Sequence, residues 1–390
     1  VPPLIFRKGL DLKHEVAPVL HESYHSGLVA AIKERDYRYE SGRLTVHLAR
    51  EFGFCYGVDR AVDYAYQARK RFPDRPIYLT GEIIHNPHVN QELRAQGIRL
   101  LTDPDVSFDA LGPNDVVILP AFGVAVDDLA RLEAQGCTLV DTTCGSVLNV
   151  WKNVRRYAED GFTSIIHGKY RHEETRATAS QARHGGRGHY LVVLDRREAG
   201  LVCDYIRQGG DRVRFLETFA HTASADFDPD VQLARIGCAN QTTMLSSESL
   251  EIGGLFRDAM RDRYGEAELA RRFRAFDTIC SATQDRQDAV QALLDTQAVD
   301  LAIVIGGFNS SNTQNLARMC AVRVPTYHIA DDEGLVSPDV IRHRGAGSAA
   351  ETTSPWLPAG PLSMALTSGA STPDNIVERV IRRLDAFANL

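Results

Sequence analysis

Long apolar runs are missing from this chain: no stretch of its 390 residues approaches the roughly 18 consecutive apolar positions that span a bilayer. The opening VPPLIFRKGLDLKHEV carries acidic residues and has no apolar signal core, so no secretory leader is expected there. A broad basic field is missing too. With a formal net charge of −7 and a pI near 6.0, a duplex nucleic acid would need a local basic patch, and none is visible. Cysteine is scarce. Cys55, Cys137, Cys144, Cys203, Cys238, Cys280 and Cys320 are too few and too scattered for a secreted disulfide framework, and their odd number argues against complete pairing. The expectation is a soluble protein of a reducing cytoplasm, with neither nucleic acid nor membrane as partner. In that setting each thiol is an inert small hydrophobe, a metal ligand or a nucleophile.

The composition, 44% hydrophobic and 24% charged, is ordinary for a globular protein, and the length suffices for two or three α/β units with their own cores. Residues 1–44 form a mixed arm around the amphipathic SGLVAAIKERDYRYE, to which no chemistry is assigned. The first clear strand is LTVHLA at 44–49. Further β-like runs, VVILPA (116–121), CTLVDTT (137–143), TSIIH (163–167) and LAIVIG (301–306), alternate with helical periodicity. That alternation is the pattern of α/β units around mainly parallel sheets. The Gly/Ser/Pro-rich 341–360 reads as a surface loop, and FAHTASADFDPD (219–230) as a second loop or insertion.

Within this alternation lies a repeat. Cys55 follows a strand and opens the helical VDRAVDYAYQARKRF. Cys144, in Asp141-Thr142-Thr143-Cys144, follows a strand and opens SVLNVWKNVRRYAED. Cys280, in Asp277-Thr278-Ile279-Cys280, does the same for SATQDRQDAVQALLDTQ. Each helix leads to a strand ending in glycine, with spacings of 26 residues to Gly81, 24 to Gly168 and 26 to Gly306. Each glycine is followed by a polar loop: Glu82–Asn86, Lys169–Glu174 and Gly307–Asn312. Ligands of open α/β sheets gather outside the carboxyl ends of the strands, so every cysteine and its partner loop should face such a crevice.

A thiol at a strand-to-helix junction sits near the positive end of the helix dipole, which favours the thiolate that binds metal. One such cysteine means little, but three at matched positions point to a shared site. Zinc and an iron–sulfur cluster are the two candidates. Structural zinc usually takes paired ligands from short C-x-x-C loops and closes with a fourth, whereas these ligands are isolated, so iron–sulfur is preferred. Three thiolates on a four-iron cube leave one iron without a protein ligand, free to act as a Lewis acid on an alcohol oxygen while the cube supplies electrons. Cys238, in IGCANQTT, is the main rival ligand; it lacks the helix–strand–glycine sequel and reads as structural. Cys137, Cys203 and Cys320 read as packing residues.

The loops supply other needs. His-Glu-Glu at 172–174 offers an imidazole and a carboxyl that can bind a hydroxyl and pass it a proton, although such a run alone is usually a solvated loop. Asn-Ser-Ser-Asn at 309–312 suits an anion held by hydroxyls, amides and backbone N–H groups, although as a bare string it is more often a helix cap. Ser-Gly-Ala-Ser-Thr-Pro-Asp at 368–374 repeats that logic.

Together these stretches resemble the hydroxymethylbutenyl diphosphate reductases, the IspH or LytB family. The matching segments, in family order, are GFCYGVDRAV (53–62), GEIIHNPHV (81–89), VDTTC (140–144), IHGKYRHEETRATAS (166–180), NQTTM (240–244), FDTICSATQDRQDAV (276–290), IGGFNSSNTQNL (305–316) and LTSGASTPD (366–374). The form of the 166–180 segment and the N-terminal extension resemble the plant and cyanobacterial branch. The resemblance implies an α/β fold of three similar domains in a pseudo-threefold trefoil around a central [4Fe-4S] cluster, with boundaries at 45–138, 139–272 and 273–390 after the extension 1–44. It implies reductive dehydroxylation of 4-hydroxy-3-methylbut-2-enyl diphosphate to isopentenyl and dimethylallyl diphosphate, the last step of the non-mevalonate isoprenoid pathway. A ferredoxin or flavodoxin would be the electron donor, and the location cytoplasm or plastid stroma.

Carried over by position, Cys55, Cys144 and Cys280 are the cluster ligands, Glu174 the proton-delivering acid, and Thr242 the contact to the substrate hydroxyl or its water. His85, His172, Ser310, Ser311, Asn312 and Ser371 are the expected substrate and diphosphate contacts. Two positions depart from the common family pattern. Phe122 stands where many members have histidine, so one diphosphate contact is missing or replaced; Gly145 stands where proline commonly follows the second cysteine, which implies a looser helix start. The matched loops hold few lysines or arginines. Two unit charges about 4 Å apart interact by about 4 kcal/mol at an effective dielectric of 20, so His85 and His172 are expected to contribute charge as well as hydrogen bonds. The rival readings are a three-cysteine cluster dehydratase of quinolinate-synthase type, which needs no external electrons, and a zinc-stabilised binding protein with no redox chemistry.

Overall fold

The computed structural model describes residues 4–389 except 184, 187, 277 and 346–349. Asp277, the first residue of the D-T-I-C tetrapeptide, and the middle of the 341–360 stretch therefore lie outside the described residues. The fold is α/β, and the chain divides into two compact units, one formed by 1–5 with 105–280 and the other by 6–104 with 281–390.

The first unit contains a four-stranded parallel sheet in the order Phe273–Ala275, Ile236–Asn240, Thr163–His167, Tyr190–Val193. Its two central strands are buried at every position, as a parallel sheet covered by helices on both faces requires. A further parallel pair, Val116–Leu119 with Thr138–Asp141, belongs to the same unit. The helix Arg196–Gln208 and the helix Ser246–Tyr264 close one face over a core that includes Phe215, Phe219, Phe227 and Phe256. The stretch 219–228 is a loop, as its composition indicates, but an anchored one, and 229–230 open the short helix Pro229–Gln232. Phe215 packs against Phe219 and Phe227 at centroid distances of 4.8 and 6.4 Å.

The second unit is built on a seven-stranded sheet in the order Ala350–Thr353, Ile341–Arg344, Thr326–Ile329, Leu301–Ile305, Leu362–Ser368, Leu44–Leu48, Arg38–Ser41. The four central strands pair in parallel, and the outer ones are antiparallel. Two segments differ from the sequence reading. The 341–360 stretch is not all loop, because Ile341–Arg344 and Ala350–Thr353 pair as an edge ribbon. Ile341 and His343 alternate inward and Trp356 is buried beside them, a two-residue period that the surrounding arginine, glycine and serine conceal. Most of the arm, residues 6–44, is integral to the unit. Its helices Lys13–Tyr24 and Gly27–Glu34 lead into the edge strand Arg38–Ser41, and Tyr24 Oη meets Tyr66 Oη at 2.9 Å.

Candidate functional site

The repeat read from the sequence has a structural counterpart at each of its three positions. Cys55 and Cys144 are the residues immediately before the helices Tyr56–Arg71 and Gly145–Glu159, both in extended backbone, and Cys280 directly precedes the helix Ser281–Thr296. The following strands, Ile77–Leu79, Thr163–His167 and Leu301–Ile305, end just before Gly81, Gly168 and Gly306. Every polar loop then ends in a helix cap. Asn86 Oδ1 accepts from Val89 N–H at 3.2 Å, His172 Nδ1 from Glu174 N–H at 3.2 Å, and Ser310 Oγ from Thr313 N–H at 3.3 Å.

The cysteines sort into two classes. Cys55, Cys144 and Cys280 are partly exposed, while Cys137, Cys203, Cys238 and Cys320 are buried. Burial pushes the thiols of Cys203 and Cys320 up to about 12, and that of Cys238 up as well. A thiol held protonated in an apolar interior is a poor ligand. The rival Cys238 is therefore a packing residue.

In the first unit, Cys144, His172, Glu174, Thr242 and Cys280 form one connected constellation. Three adjacent parallel strands deliver most of it at their carboxyl ends: Thr163–His167 leads to His172 and Glu174, Ile236–Asn240 to Thr242, and Phe273–Ala275 to Cys280. Glu174 is 1% exposed. Thr242 holds both its oxygens, with N–H donating to Oε1 at 2.5 Å and the hydroxyl to Oε2 at 3.1 Å. The carbonyl of Thr242 in turn accepts from Cys280 N–H at 3.2 Å. A carboxyl removed from water and gripped at both oxygens is held in one orientation, as a residue that passes a proton to a fixed point must be. Gln241 fixes the loop beside it, its Oε1 accepting from Lys169 N–H at 3.0 Å and from the Thr175 hydroxyl at 3.1 Å.

The departure at Phe122 has a structural role. Its ring meets that of His172 edge-on, with centroids 5.4 Å apart and planes at 79°. Cys144 N–H donates to Ala121 O at 3.0 Å, so the Phe122 turn links a candidate ligand to the histidine. Gly123 has φ +74°, and a Cβ there would lie 2.3 Å from the Trp151 ring. Trp151 Nε1 donates to Thr178 Oγ1 at 3.2 Å, on the helix that starts after His172. The cap makes Nδ1 of His172 an acceptor, which an imidazolium cannot be, and places the ring at the positive end of a helix. In this bond the His172 ring acts as an acceptor, the role open to a neutral imidazole.

In the second unit, three neighbouring parallel strands again carry the candidates at their carboxyl ends: Leu44–Leu48 leads to Cys55, Leu362–Ser368 to Ser371, and Leu301–Ile305 to Ser310, Ser311 and Asn312. Cys55 N–H donates to Ala370 O at 3.1 Å, and Ala370 N–H to Asn312 Oδ1 at 3.2 Å. The Ser371 hydroxyl donates to His85 O at 3.1 Å. A Cβ on Gly307 would lie 2.4 Å from that same carbonyl, so only glycine admits the close approach. His85 Nδ1 lies 3.0 Å from Glu82 Oε2, and the Asn309 amide donates to the same oxygen at 2.8 Å. Burial alone would push Glu82 up, but these hydrogen bonds from His85 and Asn309 outweigh it and hold the carboxyl below its usual range. His85 thus meets the Glu82 carboxylate and the Asn309 amide through the same ring nitrogen, Nδ1, at 3.0 and 3.1 Å.

Of the expected residues, the structure thus joins Cys144, His172, Glu174, Thr242 and Cys280 in one unit, and Cys55, His85, Ser310, Ser311, Asn312 and Ser371 in the other. Sequence reasoning gave no role to Gln241 or Glu82, and offered Asn309 only as part of the anion-binding string 309–312. All three lie inside the segments quoted above, beside residues that were singled out.

A family model described as LytB protein matches residues 46–385. The 4-hydroxy-3-methylbut-2-enyl diphosphate reductase of Nostoc sp. is 48% identical over 98% of this chain and 94% of its own, and that of Gloeobacter violaceus 49% identical over 97% and 91%. A solved (E)-4-hydroxy-3-methyl-but-2-enyl diphosphate reductase, described as the terminal enzyme of the non-mevalonate pathway, matches with a TM-score of 0.52 at 25% identity, over 87% of this chain and 99% of its own. The Plasmodium falciparum E-1-hydroxy-2-methyl-but-2-enyl-4-diphosphate reductase shares the fold with a TM-score of 0.62 at 22% identity, each chain being covered to 86%. A family model matched along nearly the whole chain, and full-length relatives at almost half identity, establish that this chain belongs to the LytB family of 4-hydroxy-3-methylbut-2-enyl diphosphate reductases.

Proposed function

We propose that the chain is an iron–sulfur oxidoreductase that converts 4-hydroxy-3-methylbut-2-enyl diphosphate to isopentenyl and dimethylallyl diphosphate. The net chemistry breaks the allylic C–O bond, delivers two electrons and one proton to the allyl fragment, and gives the other proton to the departing hydroxyl, which leaves as water. Cys55, Cys144 and Cys280 would hold a [4Fe-4S] cluster. The donor set fits that group: three isolated thiols, each partly exposed before a helix N-terminus, with the other four cysteines buried. When bound, such a cluster supplies electrons and one iron without a protein ligand.

The observation that carries the reading is the position of Thr242. Its carbonyl is tied to the N–H of Cys280, and its own N–H and hydroxyl hold Glu174. A candidate ligand and a buried acid thus share one support. Glu174 carries the proton for the leaving hydroxyl, with Thr242 orienting it. His172 presents a ring fixed by its cap and by Phe122. The hydroxyls of Ser310, Ser311 and Ser371, the amide of Asn312 and the ring of His85 bind the diphosphate, helped by the N-terminus of the helix Ser311–Ala321. A ferredoxin or flavodoxin is the electron donor in this reading. The three cysteine-bearing passages, 45–138, 139–272 and 273–390, serve as three lobes after the extension 1–44. None of the described helices is long and apolar enough to cross a membrane, and the location in this reading is cytoplasm or plastid stroma.

The test is an anaerobic assay of the hydroxylated diphosphate with and without a strong external reductant, comparing wild type with Glu174→Gln. Turnover should require the reductant, and the variant should keep its cluster and substrate affinity while losing about 10²–10⁴-fold in rate. A full rate in the variant would remove Glu174 from the acid role. Turnover without reductant would favour a dehydratase.

A further inference from the structure

Arg286 is a buried cation whose role the reaction described so far does not use. It lies in the helix Ser281–Thr296, is 3% exposed, and among the described residues no carboxylate pairs with it. Its Nη1 donates to Ala282 O at 2.7 Å, which turns the side chain back toward the start of its own helix. Its Nη2 donates to Gly53 O, also at 2.7 Å. Its Nε is buried with no hydrogen-bond partner. Ala282 is two residues after Cys280, and Gly53 two residues before Cys55. The guanidinium thus ties the first turn of the helix that follows Cys280 to the loop that precedes Cys55.

An arginine cannot shed its proton to escape burial, and a buried charge without a counter-charge is strongly unfavourable. Two carbonyl dipoles meet part of that demand, and among the described residues no carboxylate supplies the rest. The carboxylate of Asp374, which lies against Gly53, is engaged by Lys33 Nζ at 3.0 Å. A cluster on three thiolates is net negative, and reduction makes it more so.

Resting on the cluster reading, we propose that Arg286 is a positioning residue for the Cys55 loop and the fixed counter-charge of the iron–sulfur cluster, raising its reduction potential. The positive charge stabilises the reduced cluster more than the oxidised one, while the two-armed grip keeps Gly53 in place relative to Ala282. A neutral residue here makes the cluster harder to reduce.

The experiment is an anaerobic redox titration of the holoenzyme followed by electron paramagnetic resonance, on wild type, Arg286→Gln and Arg286→Lys, after iron and sulfide have been counted in each. At the potential that half-reduces wild type, Arg286→Gln should show a reduced-to-oxidised ratio at least about tenfold lower, equal to 59 mV for one electron, and Arg286→Lys should stay within about threefold of wild type. A Gln variant that loads its cluster and titrates like wild type overturns the proposal, including the case in which only substrate affinity falls, which would make Arg286 a diphosphate ligand. Should the Gln variant not fold, the Lys variant decides: a wild-type midpoint supports the charge role, and a tenfold drop contradicts it. Wild-type protein without iron or sulfide would instead remove the cluster reading itself.

Discussion

Acidification should weaken the seven-stranded unit through one side chain, His328. It is 3% exposed on the strand Thr326–Ile329, with Nε2 2.9 Å from Gly306 O and its ring edge-on to Phe308 at 5.2 Å. Gly306 begins the loop that carries Ser310–Asn312, so the histidine braces the proposed diphosphate loop from below. Burial pushes its pKa down to about 4, with Arg344 and His343 adding repulsion and the Gly306 carbonyl pulling the other way. Because the folded-state pKa is depressed, the unfolded chain takes up a proton first. Stability is complete above the ordinary value near 6.5 and is lost as the pH falls toward 4. The gap corresponds to about 3 kcal/mol in all, of which about 2 kcal/mol is lost by about pH 5. His47 and His88 are also pushed down, chiefly by burial, and add their own loss. The comparison that isolates His328 is with His328→Gln, which keeps an N–H for the carbonyl but does not titrate. Urea unfolding of the apo-protein at about pH 7 and about pH 5 should show wild type losing about 2 kcal/mol more than the variant between the two conditions. Equal losses would refute the reasoning.

Two other substitutions have defined outcomes. Phe122→Ala removes the edge contact to His172, worth about 1 kcal/mol; steady-state kinetics should show KM for the diphosphate raised about fivefold at unchanged cluster absorbance, and an unchanged KM would deny the ring its role. Gly145→Ala adds a methyl group at the start of the helix Gly145–Glu159, where no atom lies within 4 Å of the new Cβ. The loss of unfolded-state freedom should stabilise the apo-protein by about 0.4–1 kcal/mol, seen as a higher Tm; a lower Tm would mean that the glycine relieves a contact present only in the holoenzyme.

The features most visible in the sequence were those with a period. The Cys–helix–strand–Gly unit repeats at nearly constant spacing, and fully apolar strands such as Leu301–Ile305 announce a sheet buried on both faces. The three cysteines at helix starts followed directly. The edge ribbon did not, because Arg342, Arg344 and the glycines around them outweigh the alternation of Ile341 and His343. Arg286 was invisible for a similar reason. In SATQDRQDAV it reads as one more solvated charge, and only the fold shows that a helix rich in polar residues turns this one inward. The acceptor role of the His172 ring was beyond sequence as well, since whether an imidazole donates or accepts is decided by the backbone N–H it meets.

The account depends most on three thiols sharing one inorganic group, and Mössbauer spectroscopy of anaerobically prepared protein with and without the substrate tests that directly. It should show about four irons per chain, one of them distinct and alone in shifting when the diphosphate is added, with the pattern lost on replacing any one of Cys55, Cys144 or Cys280 by serine. Colourless, zinc-containing protein, or a spectrum that the three replacements leave unchanged, would contradict it.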